Sequence, residues 1–308
     1  MAFTAKDVQS LREKTGVGMM DCKNALVSSD GDMDKAIEYL REKGLAAATK
    51  KAGRIAAEGI VSAFYDESKK IGVLVEVNSE TDFVAKNEEF QGFALNVAKT
   101  IAEVNPNDVE TLLNVKLFGS DRTVLENLQD KILSIGENIK IRRFERTEGI
   151  VSIYIHSGGT VGVMVMIETD AGTAATEAFK VMGKDVAMQI AAMSPQYLNK
   201  VSVPAEVVEY EKGILAAQLK EDEKMLNKPE KVLEGIIIGK IAKLFKDICL
   251  MEQQFVKNGD LSVAQYVESV AKEIGSTINI TGFVRFAKGE GLQKKEDNFA
   301  DEVASMIK

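Results

Sequence analysis

The chain's 308 residues are enough for about two ordinary domains, and its net charge of −8 excludes a general nucleic-acid binder, because phosphate binding draws on clustered Lys and Arg. Cys22 and Cys249 supply neither a disulfide framework nor a zinc site, and they fit a reducing cytoplasm. His156 is the only histidine and no Walker-type glycine-lysine loop occurs, so catalysis, a cofactor and a resident metal are not expected. Met1 is followed by a helix-start signal rather than a charged leader with an apolar segment, and no apolar run approaches eighteen residues. The expectation is a cytoplasmic protein away from the membrane.

In chain order, Thr4 to Asp7 has the form of a capping box, with Val8 and Leu11 as the apolar stripe of the helix it opens. Thr15-Gly16-Val17-Gly18 ends that helix, Asp21 can cap a second through Leu26, and Asp30-Gly31-Asp32 precedes a third from Met33 to Lys43. These three make a small bundle. Met19-Met20, between the first two helices, is either core filling or an adaptable binding surface. Ala46 to Ala57 reads as a helical or flexible connector.

The apolar run Ile71 to Val77 predicts a strand, and the helical pattern from about Glu88 predicts a helix, so Glu80 to Asn87 must form the corner between them. Asp82 is a candidate N-cap there. Phe83 reads most simply as an aromatic stapled to the following helix. A comparison within the chain opposes that reading. Gly59-Ile60-Val61-Ser62 recurs as Gly149-Ile150-Val151-Ser152, and Gly72-Val73-Leu74-Val75 recurs as Gly162-Val163-Met164-Val165. Both copies reach Glu-Thr-Asp, at Glu80 to Asp82 and Glu168 to Asp170, and their helical patterns end at Asn105-Pro106 and Ser194-Pro195. The repeat predicts an α+β chain with two related sheet-and-helix halves. Only the corner differs sharply: Phe83-Val84-Ala85-Lys86-Asn87 in one copy, Ala171-Gly172-Thr173-Ala174-Ala175 in the other. An aromatic needed merely to build the half would be wanted twice, so Phe83 reads as function added to a scaffold.

Further helices are expected over Asp108 to Leu113 and Arg122 to Ile132, with Ile135-Gly136 as a C-cap before a strand from Ile139 to Glu145. In that strand Lys140, Arg142 and Arg143 read as an exposed face. Pro204 to Met225 and Lys231 to Glu252 read as the arms of a helical hairpin turning at Asn227 to Pro229. Its seam, Ile237, Ile241, Leu244, Ile248 and Met251, steps as in a coiled coil, and apolar residues outside the seam are candidates for pairing two molecules. An ordinary core-packed hairpin fits the spacing equally well. Leu261 to Ile274 is amphipathic, and Thr281 to Phe286 is expected to return as a strand to the second half's sheet, making the hairpin an insertion. Phe299, Val303 and Ile307 mark a terminal helix.

Four ordered motifs carry a resemblance over the whole chain: Leu11 to Lys23, Thr81 to Asn87, Ile135 to Ile139 with Arg142-Arg143, and Gly282 to Phe286 with Gly289-Glu290-Gly291. With these the sequence resembles the elongation factor Ts family, guanine-nucleotide exchange factors for elongation factor Tu. The resemblance implies a bundle like a ubiquitin-associated (UBA) domain with its connector over 1–55, and a first core subdomain over 56–147. It also implies a second core subdomain over 148–203 and 257–287, an inserted antiparallel coiled-coil hairpin over 204–256, and a C-terminal helical module over 288–308. It further implies that Arg12, Met19 and Met20 touch the nucleotide domain of elongation factor Tu. Thr81, Asp82, Phe83 and Val84 would enter near its magnesium and phosphate site, supported by Ile135 and Gly136, while the turn at His156 would hold its third domain. The tail departs from the family pattern, with Asp297-Asn298-Phe299 in place of Thr-Asp-Phe. An adaptor that dimerises through the coiled coil without promoting exchange is the alternative from another class.

Overall fold

The computed structural model describes residues 3–222, 225 and 228–293, so the expected terminal helix and part of the hairpin turn, including Asn227, lie outside the described residues. It is a mixed α+β chain. Three helices open it: α1 (Ala5–Thr15), α2 (Met19–Ser28) and α3 (Met33–Lys51). The Thr4–Asp7 capping box is present, and Gly16 ends α1 in the left-handed conformation at φ 69°. Asp21 is not the cap of α2. That helix begins two residues earlier behind Gly18, and Asp21 lies in its first turn, paired with Lys43. α3 runs on to Lys51, through the first half of the expected connector. Its alanine run favours helix, and buried Gly44 faces the backbone at Gln129. Val8, Leu11, Cys22, Leu26, Ala36 and Leu40 form the bundle's core.

The first repeat follows. β1 (Glu58–Asp66) and β2 (Ile71–Ser79) pair antiparallel, with Glu58 opposite Ser79 and Asp66 opposite Ile71. Next come α4 (Asp82–Ala85), α5 (Glu88–Val104), α6 (Val109–Leu113), α7 (Val124–Ile135) and β3 (Lys140–Glu148), giving a sheet of order β1-β2-β3. Every residue of β2 is buried. Val73, Val75 and Val77 share one face and join Phe90, Phe93, Val97 and Ile101 of α5 in a single core.

The intervening residue Glu76 is also wholly buried, and here the expectation of an exposed basic face is corrected for Arg142 and Arg143, while Lys140 is exposed as expected. Arg142 Nη1 lies 3.0 Å from Glu76 Oε1 and Arg143 Nε 2.6 Å from Oε2, because a buried carboxylate draws both long side chains inward. Gly289 N–H also donates to Glu76, at 2.8 Å. Gly289 has φ 67°, and a Cβ on it would come within 2.1 Å of the Ala57 carbonyl oxygen, so glycine is needed at this close approach.

The second repeat is built from β4 (Ile150–His156), β5 (Val161–Glu168), α8 (Ala171–Ala175) and α9 (Glu177–Met193). The chain continues through α10 (Ala205–Glu221), α11 (Glu230–Ile248), β6 (Gln254–Phe255), β7 (Asn258–Ser262), α12 (Val263–Ile274) and β8 (Asn279–Ala287). β8 returns to give the order β4-β5-β8, so α10 and α11 fall within an insertion. The two copies correspond in detail: α5 and α9 have 17 residues each and end in left-handed caps, Asn105 and Ser194. α7 and α12 have 12 residues each, open on capping boxes and end at left-handed Gly136 and Gly275.

The chain divides into two compact units. The first takes the residues up to Thr147 together with Ile155–Gly162 and the described residues from Phe286; the second takes Glu148–Tyr154 and Val163–Arg285. Among the described residues no helix is long and apolar enough to cross a membrane.

Candidate functional site

At the end of β2 the chain stops pairing as a strand, and its polar groups must find other partners. Ser79 Oγ donates to the Thr81 carbonyl at 2.9 Å. The backbone N–H groups of Glu80 and Thr81 both donate to Glu137 Oε2 at 3.0 Å, and the Thr81 hydroxyl donates to Glu137 Oε1 at 2.6 Å. In return Asn138 N–H donates to Glu80 Oε1 at 2.6 Å, and the Asn138 side chain donates to the Arg54 carbonyl at 2.7 Å. Two turns, one after β2 and one after α7, are thereby laced together by reciprocal carboxylate bonds, which are among the stronger hydrogen bonds in proteins. Gly136 makes the second turn possible: φ is 86° there, and its N–H closes α7 on the Ile132 carbonyl.

The four residues of α4 stand on this base. Val84 and Ala85 are buried in the first core. Phe83 points the other way and is 79% exposed, so the staple reading of that side chain is corrected. Phe90, at the third position of α5, is the aromatic that packs beneath. Asp82 is likewise not a cap. Thr81 occupies the cap position of α4, and Asn87 caps α5 by accepting from Glu89 and Phe90 N–H at 2.8 and 3.2 Å. The Asp82 carboxylate instead meets Lys86 Nζ at 2.7 Å, and that hydrogen bond holds its carboxyl below the usual aspartate range. The same ammonium lies 5.7 Å from the centre of the Phe83 ring. The result is a firmly based corner that offers an aromatic ring, a carboxylate and an ammonium to the outside.

The other residues marked in the sequence fall into three places. Ile135 and Gly136 adjoin the corner through Glu137 and Asn138. Arg12 is exposed on α1, and Met19 and Met20 open α2 with 44% and 64% exposure. They sit on the three-helix bundle, which is carried on α7 by α3, where Lys51 Nζ donates to the Ile132 carbonyl at 3.3 Å. His156 is exposed at the end of β4. In the turn beyond it Gly159 presses on β1, and a Cβ there would come within 2.9 Å of the Ile60 Cβ.

Sequence reasoning did not single out Glu137, Glu80 or Asn138 as the base of the corner, nor Glu76 as the anchor of the Arg pair. The signal for Glu76 was available, as a lone carboxylate within an apolar strand. Glu137 carried only a local one, since its position after a C-cap glycine reveals no partner 56 residues away. Among the described residues no group of three His, Cys, Asp or Glu side chains is set to hold a metal ion.

Fold and site together define a class: a repeated α+β scaffold whose first copy carries an exposed aromatic at the corner after β2, with Asp82 and Lys86 beside it. Comparison with known proteins gives the family. The family profile described as Elongation factor TS matches residues 80–290. A relative from Clostridium perfringens (strain 13 / Type A), named Elongation factor Ts, is 52% identical over 307 residues, covering 99% of each chain. A relative of the same name from Syntrophotalea carbinolica is 49% identical over 311 residues, covering both chains fully. The chain belongs to the elongation factor Ts family.

Proposed function

We propose that the chain is a guanine-nucleotide exchange factor for elongation factor Tu and acts in translation elongation by promoting GDP release. The observation that carries this reading is Phe83, a large apolar side chain left 79% exposed on a corner whose backbone is fixed from beneath. An exposed aromatic on a fixed base is suited to entering a partner. Membership of the family supplies the partner.

A factor that speeds nucleotide loss must bind the nucleotide-free partner better than the loaded one, and by reciprocity the nucleotide weakens the factor by the same ratio. Burying one Phe side chain is worth about 1.5 to 3 kcal/mol, or roughly ten- to hundredfold in an equilibrium constant. Phe83 alone does not offset a tightly held nucleotide. In this reading Asp82 and Phe83 wedge apart the elements that position magnesium and phosphate, with Thr81, Val84, Ile135 and Gly136 forming the support. Arg12, Met19 and Met20 dock the UBA-like module, 1–55, on the nucleotide domain. The core subdomains, 56–147 and 148–203 with 257–287, hold the partner in register, His156 at its third domain. The coiled-coil hairpin, 204–256, and the C-terminal module, 288–308, add contacts. The factor makes and breaks no bond.

The test is the release rate of fluorescent GDP from elongation factor Tu at increasing concentrations of the chain, with Phe83→Ala beside it. Acceleration that rises with concentration and is largely lost in the variant is expected. The rival adaptor would pair two molecules through α10 and α11, where Tyr210 and Ile238 are 69% and 66% exposed. It predicts a dimer that leaves the release rate unchanged.

A further inference from the structure

We propose that Glu137 is a positioning residue for exchange: its carboxylate fixes the backbone immediately before Asp82 and Phe83 and thereby holds those two side chains in place to engage the partner. The inference rests on the exchange reading and adds a residue to it. Its basis is the second copy of the repeat. There Asp170 caps α8 in the ordinary way, accepting from Thr173 N–H at 2.9 Å and from the Ser276 hydroxyl at 2.8 Å. Ser276 follows the glycine that ends α12, as Glu137 follows the glycine that ends α7. At matching places, therefore, the second copy has a short donor that serves the aspartate, and the first has a long acceptor that reaches past it to the backbone. Glu137 satisfies Glu80 N–H, Thr81 N–H and the Thr81 hydroxyl, and Asp82 caps nothing. Without Glu137 those two N–H groups and the Thr81 hydroxyl lose their acceptor, and the backbone that leads into Asp82 and Phe83 is no longer fixed. The corner would then present its carboxylate and ring from a loosened base.

The prediction concerns rate more than folding. Glu137→Ala should lower the saturating rate of GDP release from elongation factor Tu on the order of tenfold, because a displaced wedge is poorly aimed even when it binds. The concentration giving half that rate should change less than about threefold. Glu137→Gln should stay within about twofold of the parent, because its amide oxygen still accepts the two N–H groups and its amide nitrogen can donate to the Thr81 hydroxyl. In a Phe83→Ala background, Glu137→Ala should add less than about twofold, since both changes disable one device.

If Phe83→Ala slows release and Glu137→Ala does not, the positioning role is overturned. Full additivity of the two changes, with Glu137→Gln as slow as Glu137→Ala, also overturns it. If Phe83→Ala itself releases GDP at the parent rate, the exchange reading of the corner fails first, a distinct result. Thr81→Val, which removes only the hydroxyl bond, provides the same cycle with Phe83→Ala should Glu137→Ala fold poorly; a coupled loss of rate supports the proposal and an additive one sinks it.

Discussion

The corner at Glu80 to Asn87 and the corner at Glu168 to Thr176 stand at the same place in two copies of one architecture, and they use the same aspartate in opposite ways. In the second copy Asp170 is absorbed into the scaffold: bonds from the Thr173 hydroxyl and N–H and from Ser276 hold its carboxyl far below the usual range. In the first, Asp82 is released to the surface beside an exposed ring. The second copy serves its helix start with a local cap, whereas the first holds the backbone that leads into its helix with a carboxylate from a distant turn. What separates the two corners lies as much in the turn after α7 as in the corner itself.

The strongest way to test this contrast is to remove an aromatic that belongs to the scaffold. Phe90 and Phe179 occupy the third position of α5 and α9, and both are buried. Phe90→Ala or Phe179→Ala should cost about 3 to 5 kcal/mol in urea unfolding, the range for emptying a packed aromatic site. A small loss at Phe90 would mean that the first copy does not depend on the aromatic that replaces Phe83 as its packing group.

A second test compares the sheets. Where β2 carries Glu76 between Arg142 and Arg143, the same place in β5 is Met166, which packs on Gly282 of β8. Burial acts to raise the Glu76 carboxyl, but bonds from Gly289, Asn78, Arg142 and Arg143 outweigh it and leave the group below its ordinary value of 4.5. The folded state thus favours the ionised form. Its contribution is complete above about pH 4.5 and is lost as pH falls through the lower, folded value. Glu76→Gln should cost about 3 kcal/mol at neutral pH and flatten the loss of stability below pH 4.5. An unchanged acid slope would assign that slope to other carboxylates.

The scaffold was legible because its signals are local and periodic. The repeated glycines, the alternation in β2, the caps at Thr4 and Asn105 and the return of β8 all follow from residues close in sequence or from comparing the copies. Helix limits were less so: α3 outran its expected end at Lys43 because packing on α7 adds to what its alanines already favour. In the site, the exposure of Phe83 was recoverable from its absence in the second copy. Asp82 reads locally as a cap, the role that Asp170 performs, and nothing in the local sequence shows that the helix starts one residue earlier, with Thr81 at the cap position and Asp82 paired to Lys86. The Arg pair was misjudged for the same reason, its anion lying 66 residues away.

Paired aspartate variants give a smaller but more direct contrast. Asp170→Ala removes a cap and should lower Tm by about 2 to 4 °C. Asp82→Ala should leave Tm within about 1 °C of the parent while slowing GDP release from elongation factor Tu. Equal losses of Tm would show that Asp82 is a structural cap after all, and the opposition between the two corners would collapse.

The smallest expected effect is also the one on which the contrast depends most. Phe83→Ala should shift Tm by less than about 1 °C, because a side chain that is 79% exposed gives up little buried area on truncation. The neighbouring Lys86 ammonium, itself largely exposed, adds little to that sum. A fall of several degrees would mean that the ring covers apolar surface in the free protein, which is the work of a staple, and any loss of exchange in the variant would then be a consequence of a loosened corner. A null shift in Tm with a large loss of exchange has the opposite meaning. Phe83 would then contribute nothing to the state in which it is seen, and its place in the sequence would be accounted for only by a state in which something else surrounds it.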